Sequence, residues 1–160
     1  MDDTQAISGR SEFQAAVRAA LAEAAAAGWR ELFLCDPDFA AWPLGERVVV
    51  ESLEQWIGAR HQLTIVARHF DDVPRRHPRW VQWRSRWSHV AHCRALPELS
   101  ADDVPVMLLA PGALVLNIAD PLHYRGLLAR DAASTRLAKE RLDAILQRSI
   151  EAFPVTTLGI

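Results

Sequence analysis

The chain has 160 residues, 50% of them apolar and 24% charged, and its formal net charge is −2. That length fits one domain, because two independent cores would each be small, and the apolar share excludes a wholly disordered chain. A net charge this close to zero argues against a protein that binds nucleic acid through its overall field. Lys139 is the only lysine among the 18 basic residues, so no mechanism that needs a lysine elsewhere in the chain is available.

No export signal or membrane segment is expected. The chain begins Met-Asp-Asp and so lacks the basic start of a signal peptide. Its longest apolar stretch, residues 106–119, is too short to span a bilayer. The two cysteines, Cys35 and Cys93, are expected to be reduced thiols in a core. We predict a cytoplasmic protein with no membrane partner, and the Ala- and Arg-rich composition indicates a GC-rich bacterial genome.

The first part of the chain alternates helical and strand patterns. Ser11 and Gln14 have the spacing of a capping box, and Gly28 stands where a helix end favours a left-handed residue, which predicts a helix over 11–27. A short apolar run that ends in Asp-Pro-Asp predicts a buried strand at 31–35. Residues 45–60 contain three successive valines, but their apolar positions recur at helical spacing and predict a second helix.

The remaining predicted elements, in chain order, are a strand over 63–70, a helix from Pro74 or Pro78 to Trp87, a strand over 88–95, and strands over 106–110 and 113–118. A Pro-Gly pair between the last two strands predicts a hairpin. Asp131 is expected to cap a final helix whose apolar side carries Leu137, Ala138, Leu142, Ile145 and Leu146.

The predicted order is therefore α-β-α-β-α-β-β-β-α. Alternating strands and helices predict an α/β fold with a mixed, mainly parallel sheet flanked by helices, to which the late hairpin adds antiparallel pairing. We expect a single domain over residues 11–152, with an N-terminal tail at 1–10 and a C-terminal tail at 153–160.

Polar side chains follow three of the predicted strands. Ligands of open α/β sheets bind beyond the carboxyl ends of strands, so these residues are the candidates for a cleft with acid/base chemistry. Alternatively they are turn and cap residues whose side chains bond the local backbone. The six candidates are Asp36, Asp38, His69, Asp71, Asp120 and His123.

Two further patterns resemble reactive sites. His89, His92 and Cys93 look like a metal cluster, but on a strand a spacing of three sends the histidines to opposite faces, and no second paired ligand motif exists. Cys35 beside His69 is a candidate nucleophile, although a cysteine that ends an apolar strand is usually core. We therefore expect no metal and no cofactor.

Residues 68–94 hold seven arginines, four histidines and three tryptophans, against two aspartates. Arginine forks near aromatic rings suit phosphate binding and base stacking, which suggests an anionic ligand or nucleic acid as partner. The alternative is that Trp80, Trp83 and Trp87, at i, i+3, i+7 spacing, pack on the sheet. The candidate anion-binding residues are Arg75, Arg76, Arg79, Arg84 and Arg86.

The order of elements resembles one half of the phospholipase D fold, and more closely short bacterial proteins of unknown function that lack its catalytic residues. The resemblance covers roughly residues 10–150 and is carried by the segments 32–38, 63–68, 75–79, 88–94, 106–118 and 141–149. An active member would use a His-x-Lys, followed by an Asp and an Asn. The matching strand here reads Val-Met-Leu-Leu-Ala, and Leu137 stands two residues before Lys139, so no catalytic residue is carried over.

We therefore expect a non-catalytic phospholipase-D-like domain that acts by binding. The resemblance implies a homodimer, because the active fold pairs two such halves. A hydrolase with a site rebuilt from the six strand-end residues is the main alternative. A protein-interaction subunit, which an exposed apolar patch would indicate, is a third hypothesis.

Overall fold

The computed structural model describes residues 4–58 and 60–153, so residues 1–3 and 154–160 of the predicted tails lie outside the described residues. The elements are β1 (Thr4–Ser8), α1 (Arg10–Ala27), β2 (Glu31–Cys35), α2 (Arg47–Trp56), β3 (Gln62–Ala67), α3 (Val73–Arg76), α4 (Pro78–Arg86), β4 (Ala91–Ala95), β5 (Val106–Ala110), β6 (Leu114–Asp120), β7 (Arg125–Ala129), α5 (Ala132–Leu146) and β8 (Ile150–Glu151). None of the helices in these ranges is both long and apolar enough to cross a membrane.

The strands form one mixed sheet in the order β1-β7-β6-β5-β2-β3-β4-β8. The α/β fold class with a mixed sheet is confirmed, but the sheet is not mainly parallel. Only β2–β3 and β3–β4 pair in parallel among the described strands, and the other five pairings are antiparallel. The short connections from β5 to β6 and from β6 to β7 allow no crossover, so they impose antiparallel neighbours.

Helices cover both faces of the sheet. Buried side chains of α1, α2 and α4 pack on one face with Leu32, Leu34 and Ile65, while α5 packs on the other face. Ala138 and Leu142 are buried on α5 as predicted, whereas Leu137 is 65% exposed and lies off the packed side. The core therefore forms two layers separated by the sheet.

The capping-box prediction for α1 is wrong. Gly9 occupies the N-cap position, the Glu12 carboxylate accepts from the Ser8 N–H at 3.0 Å, and the Gln14 amide donates to Ala41 O at 2.8 Å. The other end is as predicted, since Gly28 adopts the left-handed conformation at φ 68°. Asp131 is confirmed as the cap of α5, because its carboxylate accepts from the Ser134 N–H at 3.0 Å.

The helix predicted from Pro74 or Pro78 to Trp87 is two helices. His77, between α3 and α4, has φ −133° and ψ 56°, because a residue before proline is disfavoured in the helical conformation. Its ring bonds to the segment between β2 and α2. After the break, α4 packs on the sheet with Trp80 and Trp83 both buried.

Three strands were not predicted. β1 lies inside the segment expected to be an N-terminal tail, and it pairs with β7 from Thr4↔Ala129 to Ser8↔Arg125. β8 joins the opposite edge of the sheet through two residue pairs with β4. β7 (Arg125–Ala129) is the third, so that among the described residues the sheet has eight strands where five were expected.

Candidate functional site

The strand-end residues lie along one edge of the sheet. β2 and β3 are parallel, and β6 runs in the same direction because β5 separates it from β2 in two antiparallel pairings. The carboxyl ends of all three strands therefore reach the same edge, as the cleft hypothesis requires. The cleft hypothesis also requires the side chains of the strand-end residues to converge.

Asp36 does not face a cleft. Its side chain is 5% exposed, its Oδ2 accepts from the Asp38 and Phe39 N–H groups at 2.9 and 2.7 Å, and its Oδ1 accepts from Trp42 Nε1 at 3.0 Å. Burial raises the pKa of this carboxyl, and the three donors oppose the shift. Asp38 likewise bonds locally, to the Ala40 N–H at 3.0 Å. Both carboxylates organise the loop after β2.

The other four candidates form two separate surface pairs. His69 Nδ1 lies 3.5 Å from Asp71, and His123 Nδ1 lies 2.9 Å from Asp120, whose pKa is lowered by that hydrogen bond. β3 and β6 are three strand positions apart in the sheet, and at about 4.8 Å per step these two strands are about 14 Å apart. The structure therefore does not bring the six residues into one cleft.

The cysteine and histidine patterns fall elsewhere. Cys35 is fully buried, and burial raises the pKa of its thiol far above the usual range, so the nucleophile hypothesis is wrong. Burial also raises the pKa of Cys93, to about 12. His92 bonds to Gln62 at 2.8 Å, and His89 stands in the turn before β4. No group of three metal-ligating side chains occurs in residues 4–58 and 60–153.

A histidine joins the loop after β2 to the break between α3 and α4. His77 is 5% exposed; its Nδ1 accepts from the Gly45 N–H at 3.2 Å and its Nε2 donates to Phe39 O at 2.8 Å. These partners require the neutral ring with its proton on Nε2. Phe39, whose carbonyl accepts this bond, has a left-handed φ of 60°. The loop is thus fixed by Asp36 from one side and His77 from the other.

Lowering the pH should weaken the contact between His77 and the loop after β2. Burial lowers the pKa of His77, so below about pH 6.5 the unfolded chain takes up a proton that the folded chain refuses. Unfolding free energy should therefore fall as pH drops from about 6.5 towards the lowered pKa, by up to about 1.4 kcal/mol per pH unit. Urea unfolding of the wild type and His77→Gln across this range measures the effect. The variant should have a shallower slope, and an equally steep slope would contradict the role given to His77.

Exposed arginines gather where the 43–47 loop meets α3 and α4. Arg79 Nη1 donates to Gly45 O at 2.8 Å, and a side chain on Gly45 would stand 3.4 Å from Arg76 O. Arg75 is exposed and lies 3.3 Å from Asp72. Arg47, two residues after Gly45 in the chain, is exposed at the start of α2. We call Arg47, Arg75, Arg76 and Arg79 the arginine surface.

The two other candidate arginines lie outside this surface. Arg84 is 6% exposed and donates to Ala91 O at 3.2 Å and to Phe153 O at 2.5 Å. Arg86 lies 3.8 Å from Glu54. Sequence reasoning overlooked Arg47, which is distant along the chain, and grouped Arg84 with the exposed arginines although it follows Trp80 by four residues and so shares the buried helix face.

The tryptophans of this segment are core residues. Trp80 and Trp83 are both 0% exposed, and their indole N–H groups have no acceptor among the described residues. Trp87 is half-buried and donates to Glu54 at 3.2 Å. The packing interpretation of the stripe is therefore the correct one, and the arginine surface has no exposed tryptophan from α4 beside it.

The chain resembles several solved structures at low sequence identity. No protein-family model matches the sequence, and no curated protein matches it. TrmBL2, described as an archaeal chromatin protein with a novel mode of DNA binding, has a TM-score of 0.67 at 16% identity, over 94% of this chain and 54% of TrmBL2. The chain therefore spans about half the length of that protein.

Two further matches cover almost their whole length. NucT from Helicobacter pylori has a TM-score of 0.60 at 10% identity, over 92% of this chain and 98% of NucT. Nuc from Salmonella typhimurium, a phospholipase D family member, has a TM-score of 0.58 at 7% identity, over 94% of this chain and 98% of Nuc. This chain accordingly has a phospholipase-D-like fold, as the resemblance in its sequence implied.

Proposed function

We propose that the protein is a non-catalytic phospholipase-D-like domain that binds the phosphate backbone of nucleic acid. The observation that carries the proposal is the arginine surface: Arg79 donates to the Gly45 carbonyl, and the other three arginines, close in the chain to these two residues, are exposed. Two of the nearby acids are engaged, since Arg18 holds Glu46 at 2.7 and 2.9 Å and Asp72 lies 3.3 Å from Arg75. Glu51, one turn after Arg47 in α2, is exposed. Planar guanidinium forks match phosphate oxygens in geometry and charge.

The proposed contact is to phosphates rather than to bases. Binding of single strands usually adds aromatic platforms on which bases stack, and the α4 tryptophans are unavailable because Trp80 and Trp83 are buried. Guanidiniums alone give binding that is independent of sequence and sensitive to salt. The DNA binding described for TrmBL2, which has a similar fold, supports this partner class.

The hydrolase alternative receives no support from the geometry. Asp36 is occupied by three hydrogen bonds, and the two His–Asp pairs stand on strands three positions apart. The chain also has no His-x-Lys, since its only lysine is preceded two positions earlier by Leu137. The cytoplasmic location and the bacterial origin remain parts of the proposal.

A homodimer is also part of the proposal. Leu127 and Leu137, 52% and 65% exposed, line a cavity of about 280 Å³ between α5 and the β6–β7 pair. Such a patch is typical of a protein interface, and a second copy is the occupant that the two-half architecture of the phospholipase D fold suggests. Light scattering of the free protein measures its mass. A mass equal to that of one chain at the highest concentration would contradict the proposed homodimer.

Replacing Arg75, Arg76 and Arg79 together by glutamine should weaken binding to duplex DNA. Each phosphate contact contributes about 0.9 to the slope of log affinity against log salt, so the slope should become shallower by about 2.7. Fluorescence anisotropy with a labelled duplex between about 50 and 200 mM salt measures this. In that range, four contacts in the wild type correspond to a loss of about a hundredfold in affinity.

The matched control removes the same charge from the opposite side of the sheet. Arg136, Arg141 and Arg148, in α5 and the turn after it, are exposed, and their replacement by glutamine changes the net charge equally. This control should keep most of the affinity and nearly the full slope. If both variants lose affinity equally, the arginine surface is not the site. If the wild type binds no duplex at low salt, the proposed function itself is wrong.

A further inference from the structure

A cavity lies at the edge of the sheet that β4 and β8 form. β8 pairs with Arg94 and Ala95, and the N–H of Ala152, just after β8, donates to Cys93 O at 3.1 Å. Beside these residues the cavity has a volume of about 690 Å³ and is open to solvent between α4 and the end of α5. Its size is that of pockets that hold small metabolites. We call this the edge cavity; its polar lining consists of Thr64, Arg84, Ser88, His92, Arg94 and Glu151.

Two guanidiniums line the edge cavity without a carboxylate partner. Arg84, 6% exposed, bonds to the carbonyls of Ala91 and Phe153, and Arg94 bonds to Ser149 Oγ and Ser149 O, both at 3.0 Å. In the part of the chain that the structure describes, neither lies within 4.0 Å of an acidic side chain. Carbonyl dipoles solvate these charges but leave them unneutralised, which is costly for a buried cation.

The rest of the lining also favours an anion. A guanidinium has five N–H donors, and the bonds above use two on each arginine. Hydroxyls of Ser88 and Thr64 add neutral donors, and Glu151, opposite Arg94 in the β4–β8 pairing, is the one acid among the described residues of the lining. Two arginines against one glutamate leave the edge cavity with net positive charge.

We propose that the edge cavity binds a small molecule bearing a phosphate or carboxylate group, with Arg94 and Arg84 contacting its oxyanion. This site is separate from the arginine surface. It lies beside β4 and involves none of the residues at the Gly45 loop. A polyanion with a stiff backbone suits an exposed surface, whereas a cavity of this size suits a compact anion. The two proposals are therefore tested by different measurements.

Inorganic phosphate and succinate are the two probes, each titrated at constant ionic strength into the ¹⁵N-labelled full chain. We expect saturable shifts of backbone amide signals in residues 88–94 and 149–151 with at least one probe. Phosphate alone would identify a phosphoryl ligand, succinate alone a carboxylate ligand, and both the shared oxyanion chemistry. Absence of saturable shifts with both probes would overturn the proposal.

Two substitutions with opposite expected effects separate a binding role from a structural one. Arg94→Gln should lower the affinity for the probe by about tenfold, the typical effect of losing a charge-assisted hydrogen bond. Glu151→Gln removes the opposing charge and should raise the affinity for the probe by about threefold. Arg79→Gln, which changes the arginine surface alone, should leave probe affinity unchanged.

The Glu151 variant keeps the test valid if Arg94→Gln fails to fold, because Glu151 is exposed. Unchanged affinity in Glu151→Gln would overturn the assignment, and so would an Arg94→Gln protein that folds and binds like the wild type. Duplex DNA binding is measured independently, so its loss or retention does not affect this outcome.

Discussion

Asp36→Ala should lower the unfolding free energy by about 3–5 kcal/mol. The substitution leaves three buried donors without an acceptor, namely the N–H groups of Asp38 and Phe39 and the indole of Trp42. Each orphaned buried donor costs about 1–3 kcal/mol, and the sum exceeds the transfer gain from burying a methyl group in place of a carboxyl. Chemical unfolding followed by tryptophan fluorescence measures the change.

Two variants show whether the loss comes from these bonds. Asp38→Ala removes a single bond at a less buried position, to the Ala40 N–H, and should cost about 1 kcal/mol. Asp36→Asn should fall between the two alanine variants. Its amide oxygen can still accept from both backbone N–H groups, which share Oδ2, while its NH₂ meets the Trp42 indole. If Asp36→Ala is as stable as Asp38→Ala, Asp36 is not the organiser of the loop, and an acid/base role for it must be considered again.

The elements with strong apolar patterns were predictable from sequence. The run at 31–35 and the pair of strands around Pro111-Gly112 are buried almost throughout, so transfer of their side chains from water decides their structure. The edge strands carry no such pattern. In β1 only Ile7 is buried, and its stability comes from pairing with β7, which local sequence does not report. β7 contains two exposed residues and Gly126 within five positions.

The candidate site was predictable in composition but not in arrangement. Sequence identified the arginine-rich segment, and helical spacing correctly placed the tryptophans on one stripe. Pro78 favours a break at His77 locally, but the ring of His77 bonds to Gly45 and Phe39, more than 30 residues away in the chain, and no local rule anticipates these bonds. Beyond the break Arg79 donates to the Gly45 carbonyl, which lies two residues before Arg47 in the chain.

The strand-end polar residues show how one residue type serves two purposes. Asp-Pro-Asp after β2 has the composition of a catalytic strand end and of a turn, and the local hydrogen bonds of both carboxylates decide in favour of the turn. The strand end where a rebuilt hydrolase site was the alternative therefore forms a rigid loop. The arginines on which both binding proposals rest lie elsewhere, on the helices beside that loop and next to β4.

Gly126→Ala should be the other strongly destabilising change, with a loss of about 3 kcal/mol or more. A Cβ at this position would overlap the carbonyl oxygen of Asn117 and lie 2.7 Å from Ile118 Cα. These are backbone atoms of β6 at an irregularity in the β6–β7 pairing, between Asn117 and Asp120, so no side-chain rotation relieves the contact. Separating β6 from β7 would also loosen β1, which is held to the sheet through β7 alone among the described strands.

Gly112→Ala is the matched control, because it tests backbone conformation without a steric clash. Gly112 has φ 78° in the β5–β6 turn, and a Cβ there meets nothing within 4 Å. A non-glycine residue in this conformation costs about 1–2 kcal/mol, so the control should lose clearly less stability than Gly126→Ala in the same urea unfolding series. Equal losses in the two variants would mean that β6 and β7 separate easily at this point. In that case close packing at Gly126 does not hold the β1-β7-β6 edge in place, because the strands would have yielded to a single methyl group.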